Sequence, residues 1–211
     1  MHFNDNQSFS WRSRMLCTAM LVCSLATTGD AAAVSETAPA SVPSAGQTQF
    51  DEAMRALRAG EMDQASLTFQ ELALRYPALS SPLLNLGLME QKQNRHESAV
   101  SYFVRALERA PHSPAIYTSL GVSYRNLGKL KDAETAYLAA IAADANYSQA
   151  HFNLAILQDL YLQQPEKAIH EYETYQSLLT VPDTKVTAWI KDIKGRIGES
   201  SGKSASAGAQ P

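Results

Sequence analysis

The side chains able to carry out acid–base, nucleophilic or metal chemistry are few and scattered. Beyond residue 90 the histidines are His96, His112, His151 and His170. No two of them stand at i, i+4, the spacing that puts two metal ligands on one helix face in H-E-x-x-H sites. A thiolate nucleophile or a disulfide would have to come from Cys17 and Cys23, both close to the start of the chain. Phosphate-cradling loops of the G-x-G-x-x-G and G-x-x-x-x-G-K-[ST] types are absent from the sequence, as is the G-x-S-x-G elbow of serine hydrolases. Acid pairs such as Asp51-Glu52 and Asp132/Glu134 fall at helix beginnings or on exposed faces, where they suit the helix dipole. His151 occupies a slot that Leu83 and Tyr117 fill elsewhere, which makes it a partly buried core histidine. These residues predict no enzyme, no metal site and no cofactor.

The elements that would position any site follow from composition and periodicity. The chain has 211 residues, 45% hydrophobic and 18% charged, with a net charge of −3. Such a balance lacks the basic stripe of a nucleic-acid binder. Ala/Leu-rich runs with few Val/Ile/Thr clusters favour helices over sheet.

The N-terminus reads as an address. Arg12 and Arg14 precede the apolar run Met15–Ala26, too short to span a bilayer, which takes about 20 residues, and right for a signal-peptide core. Ala31-Ala32-Ala33 offers a cleavage site, with Gly29 as a second choice. Residues 1–33 are expected to be a signal peptide, and cleavage would leave a mature chain with no cysteine and no stable membrane span. Val34–Gln47, rich in Ala, Pro, Ser and Thr, is expected to be a disordered leader, and residues 198–211 a disordered tail. The folded part is expected over 48–197.

Inside it a 34-residue period is visible. Leu86-Gly87 returns as Leu120-Gly121 and then as Leu154-Ala155; Ala65, Ala99 and Ala133 keep the same interval, as do Phe69, Phe103 and Tyr137. In the third unit Tyr117, Leu120, Gly121 and Tyr124 share one helical face, while Ala133, Tyr137 and Ala140 share the face of a second helix. Gly128 between them suits a left-handed helix end. The repeats are expected at about 46–79, 80–113, 114–147 and 148–182. A fifth stretch, 183–197, carries Val186, Trp189, Ile190, Ile193 and Ile197 on one face, an expected capping helix with Asp183 before it. Stacked hairpins need such an end, because each copy buries its faces only against neighbours.

These residues resemble the tetratricopeptide repeat family: a large residue, Leu-Gly, an aromatic, Ala, an aromatic, Ala and Pro over 34 positions. The resemblance covers about 135 residues and implies an all-α, right-handed solenoid of antiparallel helix hairpins. It also implies that the first helix of each hairpin lines a concave groove. The inward stripe is then Phe50, Met54 and Leu57 in the first unit and Leu84, Leu88 and Gln91 in the second. Thr118, Val122 and Arg125 follow in the third, and Phe152, Ile156 and Asp159 in the fourth.

Relatives that grip a C-terminal carboxylate present Lys, Arg or Asn at several such positions, whereas Phe50, Leu84 and Thr118 stand here. The mainly apolar stripe suits an amphipathic helix or hydrophobic peptide. The expected function is a non-catalytic scaffold that binds a protein or peptide, with no nucleic-acid partner. Export without a lipid box or disulfides resembles soluble periplasmic relatives of Gram-negative bacteria, which serve envelope assembly such as pili, secretion or polysaccharide export. The alternative is a structural homo-oligomer subunit that uses the same apolar surface for self-association.

Overall fold

The computed structural model of the chain describes residues Ser44–Ala207, and among these there are nine helices and no strand. They are α1 (Ser44–Ala59), α2 (Met62–Arg75), α3 (Ser81–Lys92), α4 (His96–Leu107), α5 (Pro114–Asn126), α6 (Leu130–Ala143), α7 (Ser148–Leu160), α8 (Pro165–Ser177) and α9 (Thr184–Ala207). Consecutive helices pair as the hairpins α1/α2, α3/α4, α5/α6 and α7/α8, and α9 packs on α8. The result is an all-α stack of helix hairpins closed by a terminal helix.

Small residues at one place in each first helix let the hairpins form. A Cβ added at Gly121 would stand 2.5 Å from Cε1 of Tyr137, and one added at Gly87 would run into the Phe103 ring. The aromatic of each second helix therefore fills the space that a side chain would occupy. Phe69, Phe103, Tyr137 and Tyr172 are all buried, beside Ala65, Ala99, Ala133 and Ala168, which are completely enclosed. Burying one such large apolar side chain stabilises the fold by about 1.5–3 kcal/mol.

Each hairpin turns on one left-handed residue: Gly60 (φ 85°), Asn94 (φ 58°), Gly128 (φ 72°) and Gln163 (φ 53°). The next backbone N–H then reaches back across the turn, as Glu61 to Ala56 O, Arg95 to Glu90 O and Lys129 to Tyr124 O, each at 2.9 Å. These bonds satisfy carbonyls that the helix end leaves open. Around Gln163 one extra residue lengthens the turn, and Pro165 takes the first turn of α8, where its missing N–H costs nothing.

Helix α9 stands where the first helix of a fifth hairpin would stand. Val186, Trp189 and Ile190 come 35 positions after His151, Leu154 and Ala155. Val186 and Ile193 are buried, with Trp189, Ile190 and Ile197 packed around them. An isoleucine stands at 190, where the first helices of the four hairpins carry Gly or Ala, and it packs into the core beneath α9. Asp183 caps α9 by accepting from Lys185 N at 2.9 Å. Gln176 of α8 ties the same corner, donating to Asp183 O at 2.7 Å and accepting from Asp183 N at 2.7 Å.

The expected element boundaries shift at both ends. Helix α1 begins at Ser44, directly after Pro43, so the last residues of the expected leader are helical. Gly46 packs so closely on the Tyr76 ring that a Cβ there would lie 2.7 Å from it. Helix α9 runs to Ala207, ten residues into the expected disordered tail. Once the packed turns from Val186 to Ile197 have nucleated the helix, extension costs little, and no proline intervenes before Pro211. The expected signal peptide, residues 1–33, lies outside the described residues, as do the leader up to residue 43 and the tail beyond 207.

Candidate functional site

Helix α3 lies beside α5, and α5 beside α7. First helices thus approach one another along the stack, which places them on the inner side of its curve. All twelve residues of the expected stripe belong to these helices, but their surroundings divide them into three groups.

In the first two hairpins the stripe is apolar and partly open. Phe50, Met54, Leu57 and Leu84 are half-buried against the core, with Phe50 edge-on to Phe69 at 5.5 Å. Leu88 is 41% exposed, the most open apolar residue of the stripe. Val122 continues this surface one hairpin further on, half-buried beside the core of the third and fourth hairpins.

A second group joins helix to helix. Gln91 donates to Ser119 O at 2.6 Å and to Ser123 Oγ at 2.7 Å, crossing from α3 to α5. Arg125 reaches Asn153 Oδ1 at 3.4 Å, crossing from α5 to α7. Asp159 accepts from Arg196 at 2.8 Å, crossing from α7 to α9. The last stripe residue of three successive hairpins therefore forms a polar ladder along the inner face. Helical spacing alone places these residues on the stripe and says nothing of their partners, Ser123, Asn153 and Arg196. The available signal was the change from apolar to polar at the i+7 position.

The third group is covered. Thr118 is buried at 7% exposure. Phe152 sits in an aromatic cluster, 6.2 Å from Trp189 in a stacked pair, 5.0 Å from Tyr175 and 6.3 Å from Tyr172. Ile156 joins the same cluster. These two fourth-hairpin residues thus help to seat α9, and Trp189 packs inward on the fourth hairpin.

The ionisable groups among the described residues are engaged chiefly with one another and with the backbone. His151 is buried with Nδ1 2.6 Å from Glu171 Oε2 and Nε2 3.0 Å from Ala145 O. Both ring nitrogens face protein oxygens, so neither is available to a substrate. Glu90 is held below the usual carboxylate range by its hydrogen bond from Arg95, against a smaller opposing effect of burial. Arg95 grips it through two nitrogens, at 2.6 and 2.8 Å. Burial pushes the Tyr137 phenol up to about 12, and raises Tyr172 as well. Among the described residues no group of three or more His, Cys, Asp or Glu side chains could hold a metal ion. Nor is any helix among them long and apolar enough to cross a membrane.

Comparison with known proteins bears on this architecture. The sequence pattern of the tetratricopeptide repeat family matches residues 50–114, 84–148 and 118–175 in overlapping copies, together more than half of the chain. Protein O-mannosyl-transferase TMTC2 of Mus musculus is 31% identical over 77 residues, 35% of this chain but 9% of that protein. The chain therefore spans less than a tenth of that relative. Among solved structures, Pseudomonas aeruginosa PilF superposes with a TM-score of 0.66 at 18% identity, over 74% of this chain and 70% of that one. The first repeat domain of Spaghetti (RPAP3), bound to the HSP90 peptide SRMEEVD, gives 0.53 at 22% identity, over 56% and 93%. At these identities the likeness to both structures is one of fold.

Proposed function

The chain belongs to the tetratricopeptide repeat family, and from that premise we propose that it is a non-catalytic scaffold holding a protein segment against its first helices. Repeats of this family commonly mediate protein–protein interaction, and the RPAP3 domain is seen with a peptide bound. The observation that carries the reading is the apolar stripe of the first two hairpins, half-buried but open at Leu88. Apolar surface left open on the inner face of a rigid stack favours a helix or peptide that presents apolar side chains at i, i+3 and i+4. The polar ladder of Gln91, Arg125 and Asp159 supports it, because it fixes the spacing of the first helices before any partner arrives. A surface organised in advance loses less entropy on binding.

The proposal extends to place. The expected signal at residues 1–33 would deliver the scaffold to the periplasm of a Gram-negative bacterium, in support of an envelope machine such as a pilus, a secretion system or a polysaccharide exporter. The test is partner capture from the native envelope with Leu88→Asp and, as a control on a second helix, Leu74→Asp. Leu74 is 81% exposed on α2. Loss of capture by the first variant alone, with helicity unchanged, is the expected result. Equal capture by both variants and the parent chain rejects the groove. Phe152 is unsuited to this test because its ring seats Trp189.

A further inference from the structure

Between α6 and α7 the chain runs Asp144-Ala145-Asn146-Tyr147, and Ser148 opens α7. Asn146-Tyr147-Ser148 has the Asn-x-Ser form of an N-glycosylation acceptor, with no proline in the middle. It is the one such triplet among the described residues. The repeat itself does not require it: one period earlier the same places hold His112, Ser113 and Pro114, and two periods earlier Ala78, Leu79 and Ser80.

The Asn146 side chain has no task in holding the fold. Asn146 is exposed, while Tyr147 beside it is half-buried. The Asn146 backbone N–H donates to Asp144 Oδ1 at 2.9 Å, and its carboxamide is unengaged among the described residues. Three other asparagines differ: Asn85, Asn126 and Asn153 donate Nδ2 to the carbonyl four residues back, at 2.9, 2.8 and 2.8 Å. The backbone on either side of Asn146 is not helical, with Asp144 at φ −153°, ψ 103° and Tyr147 at φ −77°, ψ 86°. The turn is pinned from within, since Tyr147 N donates to Asp144 O at 3.0 Å and Ala145 O faces His151 Nε2 at 3.0 Å. A group attached to Asn146 Nδ2 leaves into solvent and displaces no packed side chain.

We propose that Asn146 is an N-glycosylation site that receives an oligosaccharide from a lipid-pyrophosphate donor. In the transfer Nδ2 bonds to C1 of the donor's first sugar, the C1–O bond to the pyrophosphate breaks, and the lipid pyrophosphate leaves. One amide proton passes to a base of the transferase. The Ser148 hydroxyl, two positions on, is the part of the triplet that a transferase reads by hydrogen bonding, a task that threonine also meets and alanine does not. Acceptors of this kind belong to exported chains, so the site rests on the placement in the envelope proposed above.

The test is mass spectrometry of the whole chain purified from its own envelope, with fragmentation that leaves the sugar–asparagine bond intact. Saccharide mass on Asn146 is the expected result, absent from Asn146→Gln and Ser148→Ala and retained by Ser148→Thr. Circular dichroism of the variants should match the parent. A chain cleaved near residue 33 whose Asn146 peptide is unmodified overturns the site and leaves the export reading standing. Saccharide carried on Ser or Thr side chains alone, or retained by Ser148→Ala, overturns it as well. A chain that keeps residues 1–33 and stays in the cytoplasm overturns the export reading and the site with it.

Discussion

The ring of Tyr137 fills the place of a side chain at Gly121: a Cβ built there lies 2.5 Å from ring carbon Cε1 and 2.7 Å from Cδ1. The ring is wholly buried and has no room to swing aside. Gly121→Ala should therefore force α5 and α6 apart. Overpacking of about 1–3 kcal/mol outweighs the gain in helix propensity of about 1 kcal/mol. A net loss of up to about 2 kcal/mol is expected on that balance, read as a lower urea midpoint. Ala53 and Ala155 hold the same place in the first and fourth hairpins, which assembled around their methyl groups.

The Tyr137 hydroxyl is buried without a hydrogen-bond partner, although Phe69 and Phe103 fill the equivalent slots with no hydroxyl at all. Tyr137→Phe should raise stability by about 1 kcal/mol, since it removes an unsatisfied group. The same burial lifts the phenol to about 12, above the value near 10 of an exposed tyrosine. Between those values the unfolded chain loses a proton that the folded chain retains. Stability is thus full below about pH 10 and declines as pH rises toward about 12. Denaturation midpoints across that range should fall less steeply for Tyr137→Phe than for the parent.

Gln163 adopts φ 53° in the turn between α7 and α8, where the first and third hairpins use Gly60 and Gly128. A left-handed residue with a Cβ costs about 1–2 kcal/mol relative to glycine. Gln163→Gly should recover about 0.5–1 kcal/mol after the added chain entropy of glycine. The same change at a helical position, such as Gln70, should instead destabilise. Thermal unfolding of the two variants distinguishes relief of strain from a general effect of glycine.

Trp189 contacts Phe152 at 6.2 Å and Tyr172 at 5.9 Å. Trp189→Ala should remove most of what seats α9, at about 2–3 kcal/mol for a large, partly buried ring. Because each unit of a stack leans only on its neighbours, the damage should begin at that end. Amides of α8 and α9 should lose hydrogen-exchange protection before those of α3 to α6.

The 34-residue spacing of Leu-Gly, Ala and aromatic residues made the hairpins and their close contacts legible before any coordinates. Those contacts are local and recur, so each copy supports the reading of the next. The left-handed turn was visible at Gly128 but hidden at Gln163, where the backbone demand is the same and the residue gives little sign of it. At the candidate site the stripe positions follow from helical geometry, but their environments do not. Whether Phe152 faces a groove or Trp189 depends on how α9 docks, and whether Gln91 is free depends on Ser123, 32 positions away. Such contacts between units follow no fixed period.

The most direct test of the binding face is site-specific photocrosslinking in the intact envelope, with the photoreactive residue at Leu88 on α3 or at Leu74 on α2. A partner adduct from position 88 and none from position 74 is the predicted result. An adduct from position 74 alone would place the partner on the second helices and contradict the account.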